Sequence, residues 1–515
     1  MAASAEVTSM QEMYLRKILK ARVYDVAQKT PLSYAKILSA KLNNHIFMKR
    51  EDLQQVFSFK LRGAYNKMAQ LDSDERQCGV ITASAGNHAQ GVALSAHRLG
   101  ISATIVMPET TPAIKVNSVA AHSAEVILHG DTYDEAAMYA VKLAESSGKT
   151  LIHPYDDPDV IAGQGTIAME ILQQADGAID AIFIPVGGGG LIAGISVYIK
   201  QLYPEIKIIG VEPQDAPCMH EALKFDERVV LDQVGIFADG VAVRQVGKET
   251  FKVAQHCVDE MLLVTTDEIC AAIKDIYDDT RSIVEPAGAL AIAGIKKYVS
   301  DHSIKDQQLI AINSGANINF DRLRHVAERA EIGEQREVLL GVTIPERAGS
   351  FRQFCKLLGH RSITEFNYRY ASDHEAHVFV GIEASGGEEA KQTMIDLLIA
   401  NDYAVVDLTN NEMAKLHVRY MVGGHGRDLD NEVLYRFEFP ERPGALLQFL
   451  ERIGEKWNIS LFHYRNHGSA YGRILAGLQV ADDNQEEFCK FLNDLGYTYC
   501  EEKDNAAYRL FLGSA

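Results

Sequence analysis

Six short runs, at 79–82, 103–107, 125–128, 181–184, 207–211 and 309–312, are dense in valine, isoleucine and other apolar residues. Each is separated from the next by a segment long enough for a helix. Runs without polar alternation suit strands covered on both faces. Strands alternating with helices build parallel sheets flanked by helices. The region from about residue 30 to about residue 320 is therefore expected to be an α/β unit. Before it, Tyr14, Ile18, Val23 and Val26 stand at mixed helical spacing, so residues from about 10 to 30 read as helix.

Three of these runs end in loops of small and polar residues, the place where open α/β sheets bind ligands. The first loop is Ala83-Ser84-Ala85-Gly86-Asn87-His88-Ala89-Gln90-Gly91. It can present backbone N–H groups to an anion at a helix start, and taken alone it also reads as a tight turn. The second is Pro185-Val186-Gly187-Gly188-Gly189-Gly190-Leu191. Four consecutive glycines cost conformational entropy, and the usual return is a close approach of backbone amides to a phosphate at a helix dipole. The third, Asn313-Ser314-Gly315-Ala316-Asn317, places a hydroxyl at a strand end.

Upstream lies Ser58-Phe59-Lys60-Leu61-Arg62-Gly63-Ala64, preceded by a dense polar run from Lys49 to Gln55. A lysine between apolar residues loses preference for its charged form and becomes a nucleophile toward carbonyls. A lone lysine is more often a solvated charge. Beside a phosphate cradle, an anion loop and a hydroxyl, the set matches a cofactor bearing a phosphate and an aldehyde, pyridoxal 5′-phosphate. A dinucleotide fits less well, because the glycine run lacks the GxGxxG spacing and a following acidic residue.

At 515 residues the chain is long enough for about two to four domains. Its net charge of −19 argues against non-specific nucleic-acid binding. No apolar run reaches the ~20 residues of a membrane span, and the first residues do not read as a signal peptide. Seven scattered cysteines without a CxxC pair suit a reducing cytoplasm better than disulfides or structural zinc.

Near residue 330 the pattern changes to a charged, glycine-containing segment that reads as a linker. A repeat follows. Pro345-Glu346-Arg347-Ala348-Gly349 parallels Pro440-Glu441-Arg442-Pro443-Gly444, and Ile363-Thr364-Glu365-Phe366-Asn367-Tyr368 parallels Ile459-Ser460-Leu461-Phe462-His463-Tyr464. Each unit reads as a ferredoxin-like βαββαβ module.

With these motifs in order, the chain resembles the biosynthetic threonine deaminase (threonine ammonia-lyase) family. That family belongs to the fold-type II, tryptophan-synthase-β-like pyridoxal-phosphate enzymes, and its tail carries two ACT-like modules. The resemblance implies a catalytic domain over 1–328 in two subdomains, a linker at 329–337, and ACT-like regulatory domains at 338–422 and 432–515. It implies that Lys60 carries the cofactor and is the base at Cα. Gly187, Gly188, Gly189, Gly190 and Leu191 hold the phosphate. Asn87 meets the pyridine 3′-oxygen, and Ser314 faces the ring nitrogen. Ser84, Ala85, Gly86, Asn87 and His88 receive the substrate carboxylate.

The implied reaction turns L-threonine into 2-oxobutanoate and ammonia in a cytoplasmic homotetramer. Isoleucine inhibits it and valine counters the inhibition, with Tyr368 and Tyr464 as candidate effector residues or simply core aromatics. Glu285 resembles a position near the cofactor, and helix capping is its equal alternative. Glu212 resembles a cation ligand of the serine racemases, but Cys218 replaces their second carboxylate, so no metal is expected. His153 and His256 read as ordinary loop and surface histidines. The alternatives are a serine dehydratase or racemase of the same fold, a β-synthase, and a non-catalytic amino-acid sensor.

Overall fold

The computed structural model describes residues 2–345, 354, 357–358, 363–368, 375–384, 386–420, 431–440, 458–465 and 471–512. The chain divides into two compact units, Met1–Ala330 and Glu331–Ala515.

The first unit contains two sheets. Six strands form the larger one, in the order Leu32–Tyr34, His45–Arg50, Gln308–Asn313, Ala181–Pro185, Lys207–Pro213, Glu260–Val264. All neighbours are parallel except the first pair. The smaller sheet is parallel, in the order Glu125–Leu128, Ala103–Met107, Val80–Ala83, Thr150–Leu151. All six apolar runs are strands, and the central ones are buried along their whole length.

One expectation needs correction. The first helix spans Ala2–Leu19 rather than residues 10 to 30. Val23 and Val26 are buried in an irregular segment packed on Val56, Leu61 and Tyr65, so their spacing reflects tertiary contacts and not a helix face. The dense polar run from Lys49 begins inside the fold. Lys49 and Arg50 end a strand, Glu51 and Asp52 start a 3₁₀ turn, and all four are buried. The segment 329–337 contains the boundary between the two units; helix Arg322–Gly333 runs through most of it and strand Glu337–Pro345 begins at its end.

Helix Lys60–Ala69 crosses helix Pro158–Gln174 at a contact of glycines. A Cβ added at Gly163 would lie 2.6 Å from both the Arg62 carbonyl oxygen and the Gly63 Cα. The longer helix starts sharply: Pro158 sits in its first turn, and the Asp157 carboxylate accepts the N–H groups of Asp159 and Val160 at 2.8 and 3.2 Å.

The second unit holds two four-stranded antiparallel sheets of identical order. One runs Ile363–Tyr368, Glu375–Glu383, Glu337–Pro345, Ala404–Asp407; the other runs Asn458–Arg465, Tyr471–Gln479, Glu432–Pro440, Thr498–Glu501. Helix Gly387–Ile399 connects Glu375–Glu383 to Ala404–Asp407, and helix Gln485–Leu495 connects Tyr471–Gln479 to Thr498–Glu501. The edge strands even share a register shift, between Ile363 and Glu365 in one and between Ile459 and Leu461 in the other. Tyr368 pairs with Val378 and Tyr464 with Ile474, equivalent positions in the two sheets. Leu339 and Phe379 of the first module share a buried cluster with Leu434 and Leu475 of the second, closed by Tyr508 and Phe511 of the last helix. The repeated residues Glu346–Gly349 and Glu441–Gly444 lie outside the described residues.

Gly163→Ala gains about 0.5–1 kcal/mol of helix propensity. The forced separation of the two helices costs about 1–3 kcal/mol, so the net effect is destabilising. A lower thermal midpoint for the variant is the expected result, read by calorimetry.

Candidate active site

Lys60 opens its helix, and the residues before it are stitched to the loop after strand Gln308–Asn313. Ser58 and Gly315 form an isolated antiparallel bridge. The Phe59 N–H donates to the Ser314 carbonyl at 3.2 Å, and the Ala316 N–H to the Phe57 carbonyl at 2.8 Å. Phe57 adopts a left-handed backbone, φ +54°, which is rare for so bulky a residue. These bonds place Lys60 and Ser314 side by side by main-chain geometry alone.

The Lys60 ammonium donates to the Pro154 carbonyl at 3.0 Å and lies 5.4 Å from the centre of the Phe59 ring. Burial lowers its pKa to about 8, while the Glu285 carboxylate pulls the other way. The amine thus sits close to its neutral, nucleophilic form at ordinary pH.

Pro154 leads into Tyr155, whose ring covers the glycine loop. A Cβ on Gly188 would fall 2.4 Å from that ring, and one on Gly190 3.0 Å from the Tyr155 backbone. Gly189 is left-handed at φ +94° and caps helix Gly190–Leu202. A side chain is thus barred from the loop, which ends in the unpaired N–H groups and positive dipole of a helix start. Leu191 offers only its backbone there, for its side chain is in the core. His153, read as an ordinary loop histidine, shapes this corner: its Nδ1 accepts the N–H groups of Tyr155 and Asp156 at 3.3 and 2.8 Å.

On the opposite side three polar side chains close a ring. Asn87 Nδ2 donates to Glu285 Oε1 at 2.6 Å, the Asn317 N–H donates to Glu285 Oε2 at 3.1 Å, and Asn317 Nδ2 donates to Asn87 Oδ1 at 2.7 Å. Asn87 begins helix Asn87–Leu99, and Glu285 is the residue before helix Pro286–His302. Glu285 makes no side-chain cap to that helix; it faces the site instead. Burial raises its pKa to about 7, and the neighbouring Asp239 adds to the effect. Ser314 is buried and donates to the Ala287 carbonyl at 3.3 Å, a long bond that is easily exchanged for another acceptor.

In the Ser84–His88 loop, Ser84 Oγ accepts the Gly86 N–H at 3.2 Å. His88 points inward, its Nε2 2.9 Å from the Ile152 carbonyl. Burial, reinforced by Lys60, holds its pKa down to about 3, so it is a neutral prop rather than a cation for a carboxylate. The loop's anion-binding capacity rests on backbone N–H groups at the helix start. The site residues therefore gather at the carboxyl ends of Val80–Ala83, Ala181–Pro185 and Gln308–Asn313. A half-buried amine, a glycine cradle and a ring of amides fit pyridoxal phosphate in chemistry and in order.

A family model of pyridoxal-phosphate dependent enzymes matches residues 23–315, more than half of the chain. The chain belongs to this family. A second model, the C-terminal regulatory domain of threonine dehydratase, matches twice, at 328–418 and 424–512. Among curated relatives, the biosynthetic L-threonine dehydratase of Pasteurella multocida is 56% identical over 97% of both chains. That of Escherichia coli is 54% identical over 97% of both. The mitochondrial threonine dehydratase of Saccharomyces cerevisiae is 52% identical over 97% of this chain and 89% of its own. The processed form of threonine deaminase isoform 2 from Solanum lycopersicum matches in structure with a TM-score of 0.62. It is 52% identical, and the match covers 62% of this chain and 88% of that one. A serine racemase from Dictyostelium discoideum matches with a TM-score of 0.55 at 33% identity, over 59% of this chain and 99% of its own.

As a member of this pyridoxal-phosphate family, the chain uses Glu212 for structure. Its buried carboxylate accepts the N–H groups of Met219 and His220, each at 2.8 Å, and lies 3.5 Å from Cys218 Sγ. It closes the start of helix Cys218–Phe225, and among the described residues no group of three or more acidic, histidine or cysteine side chains is placed to hold a metal. Asn317, Pro154 and Tyr155 were not marked by the sequence. Asn317 lies within the third small-residue loop, and the pair Pro154-Tyr155 follows strand Thr150–Leu151, too short to stand out.

Folded Glu285 keeps its proton up to about pH 7, whereas unfolded chain releases it near 4.5. The folded state then binds more protons in that window, so stability falls as pH rises through it. Glu285→Gln removes this slope. Denaturant titrations of the cofactor-free protein should lose up to about 3 kcal/mol less stability between pH 4.5 and 7 than wild type.

Proposed function

We propose that the chain dehydrates and deaminates L-threonine to 2-oxobutanoate and ammonia, with L-serine as a poorer substrate. The observation that supports this reading is the Lys60 amine held on the Pro154 carbonyl, beside the Tyr155 that covers the glycine loop, in a chain similar to biosynthetic threonine dehydratases over nearly its full length. Pyridoxal phosphate supplies an aldehyde that condenses with amines and a conjugated ring that accepts the electrons released at Cα.

The chain's own groups do the rest. The Gly187–Gly190 N–H groups, backed by the helix dipole, hold the phosphate. The N–H groups of the Ser84–His88 loop orient the substrate carboxylate. Lys60, with a pKa near 8, is about half neutral at that pH. Its amine would hold the cofactor through the aldehyde and, when free, would take the proton from the substrate Cα. Asn87 keeps one amide hydrogen on Glu285 and has a second for the pyridine 3′-oxygen. Ser314 faces the ring nitrogen with a neutral hydroxyl. A hydroxyl there would not hold a positive charge on that nitrogen as a carboxylate would, which would favour loss of the β-hydroxyl over transamination. The enamine released by elimination tautomerises and hydrolyses to the 2-oxo acid and ammonia.

The same proposal covers regulation. The duplicated modules bind isoleucine as inhibitor and valine as its antagonist, with Tyr368 and Tyr464 as effector contacts, in a homotetramer. We place the enzyme in the cytoplasm. Six described cysteines are free thiols, as a reducing compartment favours, and no described helix is long and apolar enough to cross a membrane.

A 2-oxo-acid assay with threonine and with serine tests the reading; turnover of neither would refute it. Lys60→Ala should lower turnover by about 10³-fold or more and abolish covalent capture of the cofactor by borohydride, checked by peptide mapping. A chain ending near residue 333 should stay active but lose isoleucine inhibition, which coupling of about 1–3 kcal/mol sets at roughly five- to 150-fold. Undiminished inhibition of the shortened chain would move the effector site into the catalytic unit.

A further inference from the structure

Two residues after Lys60, the Arg62 side chain is wholly buried. It forks onto Glu51, with Nε and Nη2 each donating at 2.8 Å. It also meets Glu170 through Nη1 at 2.7 Å and Nη2 at 3.1 Å. Nη1 reaches Thr166 Oγ1 and Nη2 the Gln28 carbonyl, both at 3.1 Å. Lys49, also fully buried, donates to Glu170 at 2.6 Å and balances the second carboxylate. Every donor of the guanidinium is used.

Burying two cations and two carboxylates is a poor way to gain stability. Apolar groups of the same volume do as well or better. What a saturated guanidinium fork supplies is direction. Residues two apart on a helix point about 200° from each other, so Arg62 faces away from Lys60. Its two carboxylates come from two segments connected to those around Lys60. Glu51 directly follows strand His45–Arg50, which pairs with the strand leading to Ser314. Glu170 lies on the helix that follows the Pro154-Tyr155 loop. Where the two helices cross, Gly63 lies against Val160 and Gln164, and Asn66 Nδ2 donates to the Asp159 carbonyl at 2.6 Å, one turn along from the fork.

We infer that Arg62 is a positioning residue: its fork onto Glu51 and Glu170 fixes the rotation of the first helical turn and so aims the Lys60 amine at the glycine cradle. The inference rests on the cofactor role proposed for Lys60, but not on threonine as the substrate.

Arg62→Lys keeps the charge and loses the fork. Three readouts are taken on purified full-length protein well below its melting temperature: far-ultraviolet circular dichroism for folding, the pH profile of Lys60 labelling by an amine reagent in the cofactor-free form, and the affinity for added pyridoxal phosphate by absorbance. The expected result is a folded variant that binds pyridoxal phosphate at least tenfold more weakly, with the Lys60 labelling profile displaced from about pH 8 toward that of an ordinary lysine. A variant with a lower melting temperature but affinity within twofold of wild type and an unmoved profile would show a purely structural network and overturn the inference. Where Arg62→Lys does not fold, Thr166→Val, which removes one acceptor at constant shape, carries the test. Affinity weakened threefold or more supports the inference, and wild-type values overturn it. None of these readouts uses threonine. Failure of the substrate assignment would leave them unchanged, and an absence of Lys60 labelling by cofactor in wild type would instead strike the cofactor role itself.

Discussion

Two main-chain hydrogen bonds, Phe59 to Ser314 and Ala316 to Phe57, hold the site together. Each is worth only about 0.5–1.5 kcal/mol net. Their importance is geometric, since they tie the helix bearing the lysine to the strand end bearing the hydroxyl without any side chain that could rotate. The left-handed Phe57 is the backbone strain accepted to make the turn, of the order of 1–3 kcal/mol. The parallel pairing of His45–Arg50 with Gln308–Asn313 brings together segments some 260 residues apart in sequence and makes that turn possible.

Electrostatics then set the chemistry. Burial pushes the lysine down to about 8 and the glutamate up to about 7, so both drift toward neutrality in the pH range where the other titrates. The nearby histidine is driven out of that range altogether. Lys60 and Glu285 are thus both shifted toward neutral pH, while the His88 imidazole stays uncharged there.

Much of this was legible in the chain. Strands of the parallel sheets announced themselves because both faces are buried, and the glycine loop and Lys60 stretch stood out for want of a structural need. What stayed hidden depends on partners distant in sequence. Lys49, Arg50, Glu51 and Asp52 were no more than a dense polar run; only the fold reveals that Lys49 pairs with Glu170, Glu51 with Arg62 and Arg50 with Asp52. Glu285 read equally well as a helix cap, since the amides of Asn87 and Asn317 that claim it come from two other loops. Val23 and Val26 mimicked a helix because an irregular segment packed on a core can bury residues at any spacing. The segment read as a linker is charged and largely helical, and its apolar Ile332 is buried in the cluster of the second unit.

The matched register shifts in the two regulatory sheets carry a further consequence. Pro345 and Pro440 are 95 residues apart, whereas Ile363 and Ile459 are 96 apart. One copy has therefore gained or lost a residue between its first strand and its edge strand, while the shift itself stayed at the same place in both. A one-residue change inside a strand would have turned every later side chain to the opposite face. The duplication thus left a fossil of where this fold tolerates changes in length. Divergence between the copies was free to accumulate in the connector, and the sheets, whose two sides are not interchangeable, kept count.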